Sequence, residues 1–182
     1  MAAPTPEELK SFGELIEPFQ RNTRGKTKSS LKPAHATNSL ESGIGDKIFD
    51  ATNDGMPHHP TEINFVTDEV VKQIDSYQIQ KEQKKAYCFL WLLNEEGLKI
   101  LWENVKNLLD EEDGEVKHTN ITEAGLAFHG GELFFTNDKR IFVNNKSDRY
   151  GDSKNNHWKA VIGYFRKTYN EFQIIDLKPD DL

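Results

Sequence analysis

Cysteine occurs once in these 182 residues, at Cys88, so no intramolecular disulfide can form and packing alone must hold the fold. The thiol lies inside Ala-Tyr-Cys-Phe-Leu-Trp-Leu-Leu, which reads as a buried core residue in a reducing compartment, and a cytoplasmic site of action is expected. That stretch is also the longest apolar run, far short of the ~20 residues that span a bilayer. The opening Met-Ala-Ala-Pro-Thr-Pro-Glu-Glu has neither the basic nor the apolar region of a Sec-type signal, and no membrane partner is expected. Cations are in deficit as well: 23 Lys and Arg against 30 Asp and Glu give a net charge of -7. An acidic chain of pI near 5.4 lacks the long-range attraction to nucleic acid that phosphate neutralisation requires, although a local basic patch can still supply it.

What is present is large and aromatic. Three Trp, five Tyr and eleven Phe offset a mean hydropathy of -0.73, so a real core under a polar skin is expected rather than disorder. The length fits one domain burying roughly 70% of its unfolded surface. Residues 1–182 are read as that single domain, with a small amino-terminal helical and loop subdomain over 1–66 as the alternative.

The elements follow from pattern. Thr5, Pro6 and Glu8 make a capping box, and Leu9, Phe12, Leu15, Ile16 and Phe19 then share one helical face, bent or ended at Pro18. Leu40, Ile44, Ile48 and Phe49 hint at a short helix, and Thr67 caps a second main helix carrying Val70, Val71 and Ile74. Residues 86–93 and 98–102 around Asn94-Glu95-Glu96-Gly97 predict a hairpin whose first strand, apolar throughout, belongs in the middle of a sheet; a helix over 98–109 competes for part of it. Residues 131–144, turning at 136–139, predict a second hairpin. A third helix follows Ser153, with Trp158, Val161, Ile162, Tyr164 and Phe165 in register, and 172–177 form a last strand. The fold class is α+β: an antiparallel sheet of two hairpins plus a carboxy-terminal strand, packed with three main helices.

The chemistry concentrates around the second hairpin. Glu132 and the turn bearing Ser147, Arg149 and Tyr150 share its open end, and His118 is expected from a neighbouring strand. A general acid or base, a carboxylate, a planar guanidinium and hydroxyls are the parts of metal-free acyl, glycosyl or phosphoryl chemistry. For phosphoryl chemistry His118 takes a proton from a 2′-hydroxyl or water, Glu132 is its partner acid or base, and Arg149 grips phosphoryl oxygens. Tyr150 donates to the leaving group, and Thr119 or Ser147 bonds the phosphate. The bland alternative makes Glu132–Arg149 a salt bridge, His118 a core histidine and Tyr150 a neighbour of Trp158. Residues 21–32 hold five cations and no acid, so Arg24, Lys26 and Lys28 are the candidate electrostatic anchor for RNA or a nucleotide, or else a solvated loop.

Metal chemistry finds little in the spacing. Asp110-Glu111-Glu112-Asp113-Gly114 lacks the alternating ligands of a calcium loop, and His58-His59 would point apart on a strand. No metal and no cofactor is expected. His35-Ala-Thr37 with His118-Thr-Asn120 is a poor match to a duplicated His-x-Thr pair, and His129 and His157 are expected at the surface.

Val-Lys-His-Thr-Asn-Ile-Thr, Gly-Gly-Glu-Leu-Phe-Phe, Asn-Asn-Lys-Ser-Asp-Arg-Tyr-Gly and the closing amphipathic helix together resemble the carboxy-terminal modules of bacterial polymorphic-toxin and effector-like proteins. The resemblance covers roughly residues 86–177, and Asp148 stands where that pattern has Gly. It implies a toxin- or effector-type enzyme of a bacterial or phage conflict system. On the residues themselves, a nuclease or phosphotransfer activity on RNA or a nucleotide ranks ahead of an NAD-consuming ADP-ribosyltransferase-like one, in which Glu132 stabilises an oxocarbenium-like centre and Arg149 holds a pyrophosphate. The rival from another class is a non-catalytic acidic binder, an immunity protein or anti-defence inhibitor, meeting a basic protein partner.

Overall fold

The computed structural model describes residues 3–18, 48–56, 65–74, 87–103, 117–122, 125–147, 149–150 and 155–177. The basic segment with Arg24, Lys26 and Lys28, His35, His58-His59 and the acidic stretch 110–114 lie outside the described residues. The described elements are α1 (Pro6–Ser11), β1 (Phe49–Asp50), α2 (Ala51–Asp54), α3 (Asp68–Ile74), β2 (Phe89–Asn94), β3 (Gly97–Trp102), α4 (His118–Thr122), β4 (His129–Phe135), β5 (Arg140–Val143), α5 (Asn155–Thr168) and β6 (Gln173–Asp176). The strands form a six-stranded, mostly antiparallel sheet in the order β1-β3-β2-β4-β5-β6, and the fold is α+β.

β2 is central because it is apolar on both faces. Phe89, Trp91 and Leu93 join one core with Leu133, Phe135, Val161 and Phe165, while Leu90 and Leu92 join the other with Phe134, Phe142, Val70, Ile121 and Tyr150. A strand with helices over both of its faces needs no polar alternation, which explains its unbroken apolar run. Both expected hairpins are present, and 97–102 form a strand, so the competing helix over 98–109 does not begin there. The last strand pairs with β5 in parallel, not antiparallel. The cause is the 14-residue helix α5 between them, which carries the chain back along the sheet before β6 begins.

The first helix is shorter than its periodicity predicts. Its capping box forms as expected, with Glu8 N donating to Thr5 Oγ1 at 3.2 Å and Thr5 N to Glu8 Oε2 at 2.8 Å. It ends at Ser11 because Gly13, at φ 93°, turns the chain out. Ile16 then pairs with Ala127 as an isolated bridge, so the expected apolar face of α1 divides between a helix and an extended segment. Phe12 is buried in the same core as Trp91 and Phe165. Thr67 caps α3 as expected, through Val70 N at 3.4 Å. Phe49 enters a two-residue strand instead of a helix, and α2 starts directly after it. No helix of the described residues is long and apolar enough to cross a membrane.

Asp50 joins this edge to the sheet. Its carboxylate caps α2 at Thr52 N and Asn53 N and pairs with Lys99 Nζ at 2.8 Å. Burial pushes its pKa up, but the bonds from Lys99 and Asn53 outweigh that and leave it below its ordinary 3.8. A carboxylate whose folded pKa is depressed contributes stability above its unfolded pKa, lost as pH falls through the folded one. Asp50→Ala is therefore expected to cost about 1–2 kcal/mol near neutral pH, mostly through the lost cap because the ion pair is partly exposed. Denaturant melts of both chains should converge as pH falls from about 5 towards about 3.

Candidate functional site

The chemistry expected near the second hairpin gathers on one face of β4, and two glycines make room for it. A Cβ on Gly130 would stand 3.1 Å from His118 Cδ2, 3.3 Å from Tyr150 Cβ and 3.4 Å from Ser147 Oγ. His118, Ser147 and Tyr150 thus converge on the bare backbone of one strand residue. A Cβ on Gly131, which faces the other way, would overlap the Asn144 carbonyl and stand 2.7 Å from Trp91 Nε1. Both faces of β4 are approached at van der Waals distance at successive residues, which any side chain there would prevent.

His118 comes from the short helix α4, not from a strand as expected. The reason is local: α4 lies across the sheet face, and Asn120 Oδ1 accepts from Lys117 N at 2.7 Å, closing the helix start. The imidazole is buried at 6% exposure, and its Nε2 lies 2.7 Å from the Gly131 carbonyl. A carbonyl only accepts, so Nε2 carries the proton, and in the neutral ring the lone pair is on Nδ1.

Glu132 follows two residues along the same face as Gly130, opposite Leu90 on β2, at 7% exposure. Asn144 clasps it. Asn144 Nδ2 donates to Glu132 Oε2 at 3.1 Å, Glu132 N donates to Asn144 Oδ1 at 2.9 Å, and Asn144 N donates to Glu132 O at 3.0 Å. Trp91 Nε1 closes the arrangement from the opposite core, donating to the carbonyls of Asn144 at 3.0 Å and Glu132 at 3.2 Å. The Asn144 amide thus fixes one oxygen of the carboxylate.

Ser147 organises the turn after β5: its Oγ accepts from Arg149 N at 3.2 Å and from Tyr150 N at 3.0 Å. Tyr150 is fully buried, and its hydroxyl donates to the Gly125 carbonyl at 2.7 Å and accepts from Thr122 Oγ1 at 3.0 Å. Burial raises its pKa above the ordinary 10.0, against the lowering effects of Thr122 and the Arg149 charge, so the phenol stays neutral. It lies in the core opposite to the one holding Trp158, so the Tyr150–Trp158 contact of the bland alternative does not form. Thr119, Ser147 and Arg149 are half-buried and are the least covered members of the group. Of the predicted residues, His118, Ser147 and Tyr150 converge on Gly130, Glu132 lies two residues along the same face, Arg149 adjoins Ser147 and Tyr150 in the turn, and Thr119 follows His118 on α4.

One expectation is corrected outright. His129 is not at the surface: it is 4% exposed, with Nε2 2.6 Å from the Phe12 carbonyl, because β4 points it into the core that receives α1. His157 is half-buried, its ring 6.5 Å from that of His129.

Asn144 and Gly130 were not among the predicted site residues. The signal for Asn144 was the hairpin register, which places it opposite Glu132 one step beyond the last ladder pair, Leu133 with Val143. In the comparisons with known proteins, no family model, curated protein or solved structure matches this chain.

The two glycines yield a paired prediction. Gly131→Ala forces apart two backbones and a buried indole and is expected to cost about 3 kcal/mol or more, whereas Gly130→Ala asks only a few tenths of an ångström from His118 and costs about 1 kcal/mol. Thermal melts measure the two costs. In ring-proton NMR spectra, Gly130→Ala should shift the His118 signals while the chain stays folded.

Proposed function

We propose that the chain is an enzyme of the bacterial toxin or effector type that acts on a phosphate-containing substrate, RNA or a nucleotide, with His118 and Glu132 as its acid–base pair. The observation that carries this reading is the convergence of His118, Ser147 and Tyr150 on Gly130, with Glu132 beside them on the same face. His118, anchored through Nε2, accepts a proton at Nδ1 from a 2′-hydroxyl or water. Glu132, fixed by Asn144, is its partner acid or base. Arg149, on the least covered side, offers a planar fork to phosphoryl oxygens, with Thr119 and Ser147 as hydroxyl neighbours. The Tyr150 hydroxyl is committed to Gly125 and Thr122, so its role in this reading is to position the turn. Arg24, Lys26 and Lys28 add an electrostatic anchor for the polyanion, and the cytoplasm is the site of action.

The low exposure of His118 and Glu132, at 6% and 7%, favours a second reading, a non-catalytic acidic protein that binds a basic partner. Tightly induced expression in bacteria separates the two. Wild type is expected to arrest growth, while His118→Ala and Glu132→Gln, at equal soluble levels, are harmless, with loss of intact RNA or of a nucleotide pool in the wild type alone. Depletion of NAD would redirect the substrate to NAD. Growth unaffected by wild type in several hosts counts against the enzyme and for the binder, and arrest that survives His118→Ala removes His118 from the chemistry.

A further inference from the structure

Beyond the acid–base pair, the same sheet face gathers a thiol and two carboxylates from β4 and the adjoining ends of β2 and β3. Cys88 immediately precedes β2 and Glu103 immediately follows β3, and the two meet across the sheet where Glu103 N donates to the Cys88 carbonyl at 3.0 Å. Glu132 sits opposite Leu90, and Cys88, two residues before Leu90, shares its face. The Cys88 sulfur and one carboxylate oxygen each from Glu103 and Glu132 all lie within 4.8 Å of one another. Cys88 is fully buried, Glu132 is 7% exposed and Glu103 is half-buried.

We propose that Cys88, Glu103 and Glu132 form a binding site for a thiophilic divalent cation of the zinc class. The donor set decides the metal: a thiolate excludes magnesium and calcium, which take oxygen ligands, while sulfur with carboxylate oxygen suits zinc and its spectroscopic substitutes cobalt and cadmium. The geometry is near what such an ion needs. Zinc–sulfur and zinc–oxygen bonds at a tetrahedral angle put donor atoms roughly 3.4–3.6 Å apart, so three atoms within 4.8 Å close by rotamer adjustments of about an ångström. Asn144 supplies the outer support, holding Glu132 Oε2 at 3.1 Å as ligating carboxylates are usually held. The Cys88 thiol donates weakly to the Phe89 carbonyl at 3.6 Å, and on binding it gives its proton to solvent as the sulfur–metal bond forms. The site stands on its own geometry and does not rest on the phosphate reading. Because it takes Glu132, a bound ion would withdraw that carboxylate from acid–base work.

The test uses the full chain and the metals alone. Cadmium or cobalt is titrated into folded protein, and in parallel is present during refolding so that access to Cys88 is not limiting; thiolate-to-metal charge-transfer absorbance is the readout. The expected result is a band saturating at one equivalent, displaced by zinc and absent in Cys88→Ser. Glu103→Gln, at a half-buried strand end, and Glu132→Gln should each weaken binding by more than about tenfold. Zinc should raise the melting temperature of wild type but not of Cys88→Ser. Absence of a band under both conditions overturns the site. So does a band whose affinity is unchanged in both glutamine variants, which marks a lone thiol. None of these readouts depends on growth arrest or nucleotide turnover, so failure here and failure of the enzyme reading are separate results.

Discussion

Two consecutive strand residues without side chains, Gly130 and Gly131, set how closely everything else can pack. On one face of β4 the missing Cβ admits His118, Ser147 and Tyr150; on the other it admits the Asn144 carbonyl and the Trp91 indole. A Trp91 nitrogen that reaches two backbone carbonyls ties the central strand to the end of the β4–β5 hairpin. A buried indole N–H usually finds an acceptor, and the Trp91 N–H finds the carbonyls of the two residues that clasp each other, Glu132 and Asn144. Core packing and site geometry therefore share the same atoms.

The two faces of the sheet divide the labour. One is a dense aromatic core, with Trp91 edge-on to Phe165 at 5.0 Å and Phe12 edge-on to Tyr164 at 5.4 Å, and it anchors α1 and α5. Lys167 on α5 reaches Glu8 on α1 at 2.7 Å, a surface link that adds little beside that packing. The other face is also apolar along Leu90, Leu92, Phe134 and Phe142, but it carries the polar seam from His118 to Glu132 and Cys88. Amides and carbonyls meet polar groups buried in β4, Asn144 at Glu132 and the Phe12 carbonyl at His129, which lowers the cost of burying them.

Much of the fold was legible in the sequence because it depends on short-range pattern. The unbroken apolar run at β2, the two hairpin turns, the Thr5 box and the Thr67 cap each act within a few residues, and each appears at its expected place. Where the sequence misled, a competing constraint was at work. The periodic face from Leu9 to Phe19 promised a longer helix, but Gly13 breaks it and Ile16 pairs with Ala127 instead. His129 is polar in type yet buried, because strand alternation on β4 points it at Phe12. At the open end of the second hairpin Glu132 stands opposite Asn144, three residues before Ser147, a placement that needs only hairpin register.

By itself, then, the chain determined its strand and helix segments, its α+β class and the neighbourhood of its polar residues, all consequences of periodicity and turn chemistry acting locally. Only the tertiary structure decided that β6 runs parallel to β5, that His118 arrives on a helix, that Asn144 holds Glu132, and that Cys88 and Glu103 stand beside it. Those facts depend on contacts between residues far apart in sequence, on which strand lies next to which and how closely two backbones approach. No local pattern encodes those distances.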